Sequence, residues 1–261
     1  MPELPEVEGY RRYFAEHAAG RTVRSLVADP TILRNTTMRG LRAALVGHRF
    51  GAPERRGKWL VAWTDGPALL LHFGMTGELI WAEDARGRHR WDRLIVVFED
   101  GELRYRNMRK LGGVWLAHGP DEVAVLLGGL GPDALTLTPR GFDQLLARRR
   151  GGVKAALMDQ AVLAGVGNLL ADEILWRARI HPRRRIDSLS SQERRRLGTA
   201  MRSVVRRTAA DGDEAMTKGR WLMPVRDKPG ARCPRCRTPL ARTEAAGRTT
   251  YVCPNCQPEL P

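Results

Sequence analysis

No stretch of this chain approaches the roughly 20 consecutive apolar residues that a membrane span needs, and no apolar segment ahead of a small-residue cleavage site opens it. Those absences exclude a spanning helix and a secretory signal, so the protein is expected to be soluble and intracellular. Acidic residues are scarce: 29 Asp and Glu stand against 44 Lys and Arg, a formal net charge of +15. A basic excess of this size points to a polyanionic partner. With no lipidated or amphipathic anchor evident, nucleic acid is favoured over a membrane, the blander alternative being a solubilising charge. Cysteine is absent until position 233, and the four present then form two Cys-x-x-Cys pairs, which excludes the disulfide framework of a secreted protein. Internal repeats and low-complexity tracts are also missing. What is there, 261 residues at 43% hydrophobic, supports one large or two modest globular domains.

Apolar spacing organises the chain. Val7, Tyr10, Phe14 and Ala18 recur at helical intervals, so Glu6 to Ala19 is predicted as a helix with Pro5 in its first turn and Gly20 at its end. From Thr22 to about Leu116 the pattern is one of strands and turns: Trp59 to Trp63, Ala68 to Phe73, Leu94 to Glu99 and Glu102 to Arg106 read as β, with Asp100-Gly101 as a tight hairpin. Gly128 to Pro132 is the expected linker. Beyond it, Pro139 to Arg148, Val153 to Ala164, Asn168 to Arg177 and Ser191 to Ala209 are predicted helices, the last capped by Ser190 or Ser191. The short polar module Arg232 to Gln257 cannot build a core without a metal.

Three features carry chemistry. The chain opens Met1-Pro2-Glu3-Leu4-Pro5-Glu6-Val7-Glu8, and loss of Met1 would expose a secondary amine beside a carboxylate. Such an amine can attack a sugar or carbonyl carbon and form an iminium directly, and Glu3 can move the proton; the alternative is a rigid lead-in to the helix. Cys233-x2-Cys236 and Cys253-x2-Cys256, sixteen residues apart, supply four thiolates at zinc-ribbon spacing. Four thiolates saturate a tetrahedral ion, so one structural Zn2+ is expected, a redox dithiol pair being the alternative. Between them Arg242 to Tyr251 reads as a hairpin turning near Ala246-Gly247, a stiff arm that could carry Arg248 to a phosphate. Ala164-Gly165-Val166-Gly167-Asn168 joins two helical patterns, and the N-H groups at Asn168 could face a phosphate, unless Asn168 is only an N-cap. The upstream Arg148-Arg149-Arg150 run and Lys154 would neutralise several phosphates; an arginine run can equally be a solvated face.

The opening Pro-Glu-Leu-Pro-Glu-Val-Glu, the segment Lys154 to Pro182 and the ending Gly247-Arg248-Thr249-Thr250 to Cys256-Gln257 together resemble formamidopyrimidine-DNA glycosylase and its endonuclease VIII relatives, from end to end. The resemblance implies an α+β multidomain chain: an N-terminal β-sandwich with helices over 1–127, a helix-two-turn-helix DNA-binding domain over 133–228, and a zinc-finger β-hairpin over 229–261. It further implies a bifunctional DNA glycosylase and abasic-site lyase of base-excision repair, a cytoplasmic, nucleoid-associated monomer acting on double-stranded damaged DNA and on no membrane. Carried over, Pro2 is the nucleophile at C1′ of a flipped nucleotide and Glu3 the acid that protonates the sugar ring oxygen. Lys58 becomes the proton donor in β-elimination, and Arg248 the phosphate grip that serves δ-elimination. Arg109, Arg149, Asn168 and, more weakly, His72 match DNA contacts, while Met75 and Leu111 would fill the gap left by the flipped nucleotide, with Arg109 facing the orphaned base.

The chain also departs from the family. Asn107-Met108-Arg109-Lys110-Leu111-Gly112 stands where the purine-repair branch has Asp-Pro-Arg-Arg-Phe-Gly, so an apolar wedge replaces a stacking ring. Trp91 takes the approximate place of a histidine, and Asp211 to Arg232 is shorter than the segment that carries a Gly-rich loop over the everted base. These departures predict action at abasic sites ahead of action on 8-oxoguanine. The rivals are a non-catalytic damaged-DNA binding protein of the same fold and a zinc-ribbon regulator.

Overall fold

The structure is a computed structural model and describes residues 2–217 and 219–259; Met1, whose removal the nucleophile reading requires, lies outside them. The chain divides into two compact units, one built on Glu6–Gly129 and the other on everything from Leu130 onward together with Glu3–Pro5.

The first unit takes in α1 (Leu4–His17), β1 (Ser25–Ala28), α2 (Met38–Leu45), β2 (Glu54–Arg56), β3 (Trp59–Trp63), β4 (Ala68–His72), β5 (Gly77–Ala82), β6 (Asp92–Val97), β7 (Glu102–Asn107), β8 (Gly113–Ala117) and α3 (Pro120–Leu127). The strands form two antiparallel sheets, β1-β6-β7-β5 and β2-β3-β4-β8. Alternation decides which face each residue serves. Leu60 and Ala62 of β3, Leu69 and Leu71 of β4, and Val114 and Leu116 of β8 meet Leu94, Val96, Leu103 and Tyr105 of the other sheet, and Val7, Phe14 and Ala18 of α1 join that core. Val61, Ala68 and Leu70 point the other way and pack under Val123 of α3. A sheet covered on both faces explains why β3 and β4 read as unbroken apolar runs.

Two short helices escaped the apolar pattern. The segment read as strands and turns contains α2, which Thr37 caps by accepting the Gly40 N–H at 3.1 Å. Pro120 at the start of α3 was a comparable signal. Eight residues give too few turns for a 3.6-residue period to stand out. The first helix starts at Leu4, two residues before the expected Glu6, because the Leu4 N–H is bonded to the Gly165 carbonyl at 3.0 Å.

The second unit holds α4 (Pro139–Ala147), α5 (Val153–Met158), α6 (Asn168–Ala178), α7 (Ser191–Asp211) and a two-stranded hairpin, β9 (Ala241–Ala245) with β10 (Arg248–Val252). Phe142, Leu146, Leu170, Ile174, Leu197, Met201 and Val205 form its core. Ser190 caps α7 in a complete capping box with Glu193. The helix expected over Val153 to Ala164 stops instead at Met158. There Asp159 turns the chain and its side chain accepts the Ala161 N–H at 2.9 Å, a local bond that competes with helix continuation.

Candidate active-site residues and zinc module

Glu3 lies at the N-terminus of α6. Its carboxylate is 2% exposed and accepts the N–H groups of Gly167 at 2.8 Å, Leu169 at 2.8 Å and Leu170 at 3.1 Å. The helix has no side-chain cap of its own, so a residue more than 160 positions away satisfies its orphan donors. This needs glycine: a Cβ at Gly167 would sit 2.3 Å from the Glu3 carboxyl, and one at Gly165 would sit 2.5 Å from Leu4 Cδ1. The two glycines of the Gly-Val-Gly-Asn stretch therefore make room for the beginning of the chain. Three N–H donors at the positive end of α6 fix the position of the carboxyl group. Pro2, half-buried, is covalently next to it.

That arrangement corrects the N-cap reading of Asn168: Gly167 holds the N-cap position, and Glu3 takes the N–H groups of Gly167, Leu169 and Leu170. Asn168 instead donates from Nδ2 to the Thr249 carbonyl at 3.2 Å.

Lys58 stands in a tight turn. Arg56 pairs with Trp59 across β2 and β3, leaving Gly57 and Lys58 as the two-residue loop, with positive φ at Gly57 (58°) only, the pattern of a type II′ turn. Arg55, its side chain 4% exposed, donates to the Gly57 carbonyl at 2.9 Å and to Glu8 at 3.1 Å. Burial pushes the Glu8 carboxyl up, but the guanidiniums of Arg11 and Arg55 outweigh it and hold the group below the usual carboxylate range. Glu8 and Arg55 thus tie the Lys58 turn to α1. His72 is the cross-strand partner of Trp59; burial first and the Lys58 charge second push its pKa down to about 4, so the ring is neutral near pH 7. Its Nδ1 accepts the Gly74 N–H at 3.3 Å.

Met75 and Leu111 are 40% and 55% exposed on neighbouring loops, and Arg109 is exposed beside them. Asn107, wholly buried, holds these loops together: Oδ1 accepts from Thr76 Oγ1 at 3.1 Å and from the Lys110 N–H at 3.0 Å, while the Arg109 N–H donates to Thr76 Oγ1 at 3.1 Å. The sequence marked Asn107 and Met108 only as departures from the family motif and gave neither a role, nor any to Thr76; Met108 is 45% exposed on the same loop. Apolar side chains presented together to water cost free energy unless something covers them, which marks the loops as a contact surface.

Arg149 is exposed in the turn after α4, along with Arg148 and Arg150. Lys154 differs from the expectation. It was placed on a phosphate-neutralising surface, yet it is 0% exposed, paired with Asp172 at 2.7 Å and bonded to Thr250 at 2.5 Å. A lysine in the first turn of α5 faces inward because Val153 and Leu157 beside it are core residues.

The ligand sulfurs of Cys233, Cys236, Cys253 and Cys256 all lie within 4.8 Å of one another. Pairs stand 3.4 Å (Cys236–Cys253), 3.5 Å (Cys236–Cys256) and 3.9 Å (Cys233–Cys256) apart. Tetrahedral zinc with Zn–S of about 2.3 Å requires sulfurs about 3.8 Å apart, so the four fit one ion, and one cluster rather than two separate dithiols argues against redox chemistry. Trp176 Nε1 donates to Cys233 Sγ at 3.3 Å, and the Cys256 N–H points at Cys253 Sγ at 3.4 Å, donors suited to thiolates. These four residues would hold the zinc, whose task is structural. Above them β9 and β10 turn through Ala246 (φ 55°) and Gly247 (φ 65°), both left-handed as a type I′ turn demands, and the next residue is the exposed Arg248.

Comparison with known proteins agrees with this layout. Residues 1–114 match the formamidopyrimidine-DNA glycosylase N-terminal domain, 129–218 the formamidopyrimidine-DNA glycosylase H2TH domain, and 230–258 the zinc finger found in FPG and IleRS. The formamidopyrimidine-DNA glycosylase of Thermomicrobium roseum is 37% identical over 99% of this chain and 99% of that protein. That of Symbiobacterium thermophilum is 38% identical over 99% of this chain and 90% of that protein. Among solved structures, Lactococcus lactis Fpg complexed with abasic-site DNA superposes with a TM-score of 0.89 at 28% identity, covering 98% of this chain and all of that one. MutM bound to DNA containing carbocyclic 8-oxo-G also reaches 0.89, at 29% identity over 99% of this chain and 100% of that one. With two family models and relatives of this identity spanning nearly its full length, the chain belongs to the formamidopyrimidine-DNA glycosylase family.

Proposed function

We propose that this protein is a DNA glycosylase with abasic-site lyase activity in base-excision repair, with Pro2, freed by removal of Met1, as its nucleophile. The single observation that carries the assignment of roles is the Glu3 carboxylate, buried beside Pro2 and held by three backbone N–H groups of α6. A side chain placed so firmly one residue from an amine is equipped to take the proton that the amine loses on attacking C1′ and to hand it to the sugar ring oxygen. In that sequence the N–C1′ bond forms as the base departs with its electron pair, and the C1′–O4′ bond opens to an iminium as O4′ gains the proton. The iminium acidifies the 2′ protons. Loss of one expels the 3′ phosphate, and loss of the 4′ proton then expels the 5′ phosphate. Water finally releases Pro2, and no oxidant or reductant is needed.

Lys58, rigid in its turn, serves as the proton donor of β-elimination. Arg248 grips the lesion phosphate and supports its departure in δ-elimination, as a fixed positive charge. Arg109, Arg149, Asn168 and the neutral His72 are DNA contacts, and Met75 and Leu111 fill the vacated stack, with Met108 alongside. The solved relatives are bound to DNA carrying an abasic site, FAPY-dG or carbocyclic 8-oxo-G. With a wedge of Leu111 in place of an aromatic ring, abasic sites are the first substrates expected of this chain. No helix among the described residues is long and apolar enough to cross a membrane, and the basic charge suits a protein that works in the cytoplasm on the nucleoid.

Borohydride trapping on duplex DNA with one abasic site tests the assignment. Wild type should yield a covalent adduct and Pro2→Gly none; equal trapping by the two would remove Pro2 from the mechanism. Binding without any nicking would favour a non-catalytic damage sensor, and tight sequence-specific binding to intact duplex would favour a regulator.

A further inference from the structure

Three buried charges outside the assigned chemistry, Lys154, Asp172 and Arg226, meet at Asp172. Its side chain is 0% exposed and meets Lys154 Nζ at 2.7 Å and Arg226 Nη2 at 2.6 Å, while the Tyr251 N–H approaches Oδ2 at 3.3 Å. From these three groups, contacts reach Thr249, Thr250 and Tyr251 of β10, and Thr250 relays one to Arg248. Lys154 Nζ bonds Thr250 Oγ1 at 2.5 Å, and that hydroxyl donates to the Arg248 carbonyl at 2.9 Å. Arg226 Nη2 lies 3.4 Å from the Thr249 carbonyl, which also receives Asn168 Nδ2 at 3.2 Å, and the Arg226 guanidinium stands 5.0 Å over the Tyr251 ring.

Two cations and one anion in a dry interior are a poor route to stability. Apolar residues of similar volume commonly do as well or better, because desolvation offsets the attraction. The cluster leaves Arg226 Nε buried with no hydrogen-bond partner among the described residues, a further cost. What buried ion pairs supply that apolar packing does not is directional register. Here the register being set is that of the strand whose first residue is Arg248, bound through Thr249 to Asn168.

We infer that Asp172 is a positioning residue: with Lys154 and Arg226 it locks the strand Arg248–Val252 to α6, so that Arg248 meets the lesion phosphate in the geometry that the second elimination requires. The inference rests on the role proposed above for Arg248. Its signature is a change in product partition, since Schiff-base formation is assigned to Pro2 and Glu3 and the first elimination to Lys58, whereas the bonds of the cluster run to the strand of Arg248.

The test uses the zinc-loaded full chain on duplex DNA with a single abasic site, resolving the β-elimination product from the β,δ product. Asp172→Asn combined with Lys154→Met removes one charge of each sign and keeps the buried net charge. Thr250→Val removes only the hydroxyl that links Lys154 to the Arg248 carbonyl, and it decides the matter if the double variant does not fold. In the double variant the δ-to-β ratio should fall about tenfold or more, as sub-ångström to ångström misplacement of a catalytic group commonly does, with trapping near wild type and one zinc per chain. Thr250→Val should lower the ratio by about threefold, the loss of roughly half such an effect on a logarithmic scale. An unchanged ratio in zinc-loaded variants overturns the inference, as does a parallel fall of trapping, β and δ steps. Arg248→Ala with a wild-type ratio, or a wild type that makes no δ product, overturns instead the role of Arg248, and the inference with it.

Discussion

Two hairpins in this molecule carry the cations proposed for the two eliminations, Lys58 and Arg248, and they are made rigid by different means. The β2–β3 hairpin sets Lys58 in a type II′ turn, and its second strand belongs to a sheet packed on both faces by aliphatic side chains. The β9–β10 hairpin sets Arg248 just after a type I′ turn, yet its strands bury little: only Ala245, Thr250 and Val252 are inside. In place of a core it has four cysteines at one end and the Lys154–Asp172–Arg226 cluster along one strand. The first hairpin inherits its order from hydrophobic burial distributed over many residues; the second concentrates it in a metal and a few directional bonds. A concentrated anchor is easier to break and easier to specify.

The largest way to separate the two is to remove zinc. Binding a structural zinc is worth on the order of 10 kcal/mol in a module too small to fold alone. Chelation should abolish amide-exchange protection across Ala241–Val252 and leave that of Trp59–Trp63 intact. Equal loss at both hairpins would mean that they are not independently held.

Acid should weaken the Lys58 side selectively. Burial and the neighbouring Lys58 charge hold His72 near 4, below its ordinary value, so the unfolded chain takes up a proton before the folded one. The stability this contributes is complete above the ordinary histidine pKa and is lost as pH falls toward 4, with a total of about 2 to 3 kcal/mol. Urea unfolding of wild type and His72→Gln between pH 7 and 4 should show the wild-type curve falling more steeply by that amount. Parallel curves would remove His72 from the balance.

The smallest effect sharpens the comparison in the other direction. Ala246 holds a left-handed φ of 55° in the exposed turn before Arg248. Ala246→Gly should therefore stabilise the zinc-loaded hairpin by about 1 kcal/mol, read as slower local amide exchange. Faster exchange would show that the restricted unfolded chain outweighs the strain.

Legibility followed the range of the interactions. The strand Trp59–Trp63 matches its sequence reading at both ends, and Ser190 caps α7 as expected, because alternation and caps act within a few residues. The helix α2 was missed for want of length, and Val153–Met158 was overextended because a single aspartate bond outweighed continuing apolar residues. Lys154 was misplaced for a different reason. The sequence groups it with the Arg148-Arg149-Arg150 run upstream, whereas the acid that draws it inward is Asp172, eighteen positions along the chain.

By itself the sequence determined the parts: an amine beside a carboxylate, four thiolates at metal spacing, one hairpin able to carry Arg248, and a basic surface for a polyanion. All of these depend on residue type and short spacing, where covalent geometry limits the outcomes. Only the tertiary structure decided that the two glycines before Asn168 admit Glu3 to a helix end, that Lys154 is an internal tie and not a phosphate ligand, and that Asn107 joins the exposed loops. Those outcomes depend on which distant groups share a low-dielectric interior, where an unpaired charge or amide is costly enough to select its partner.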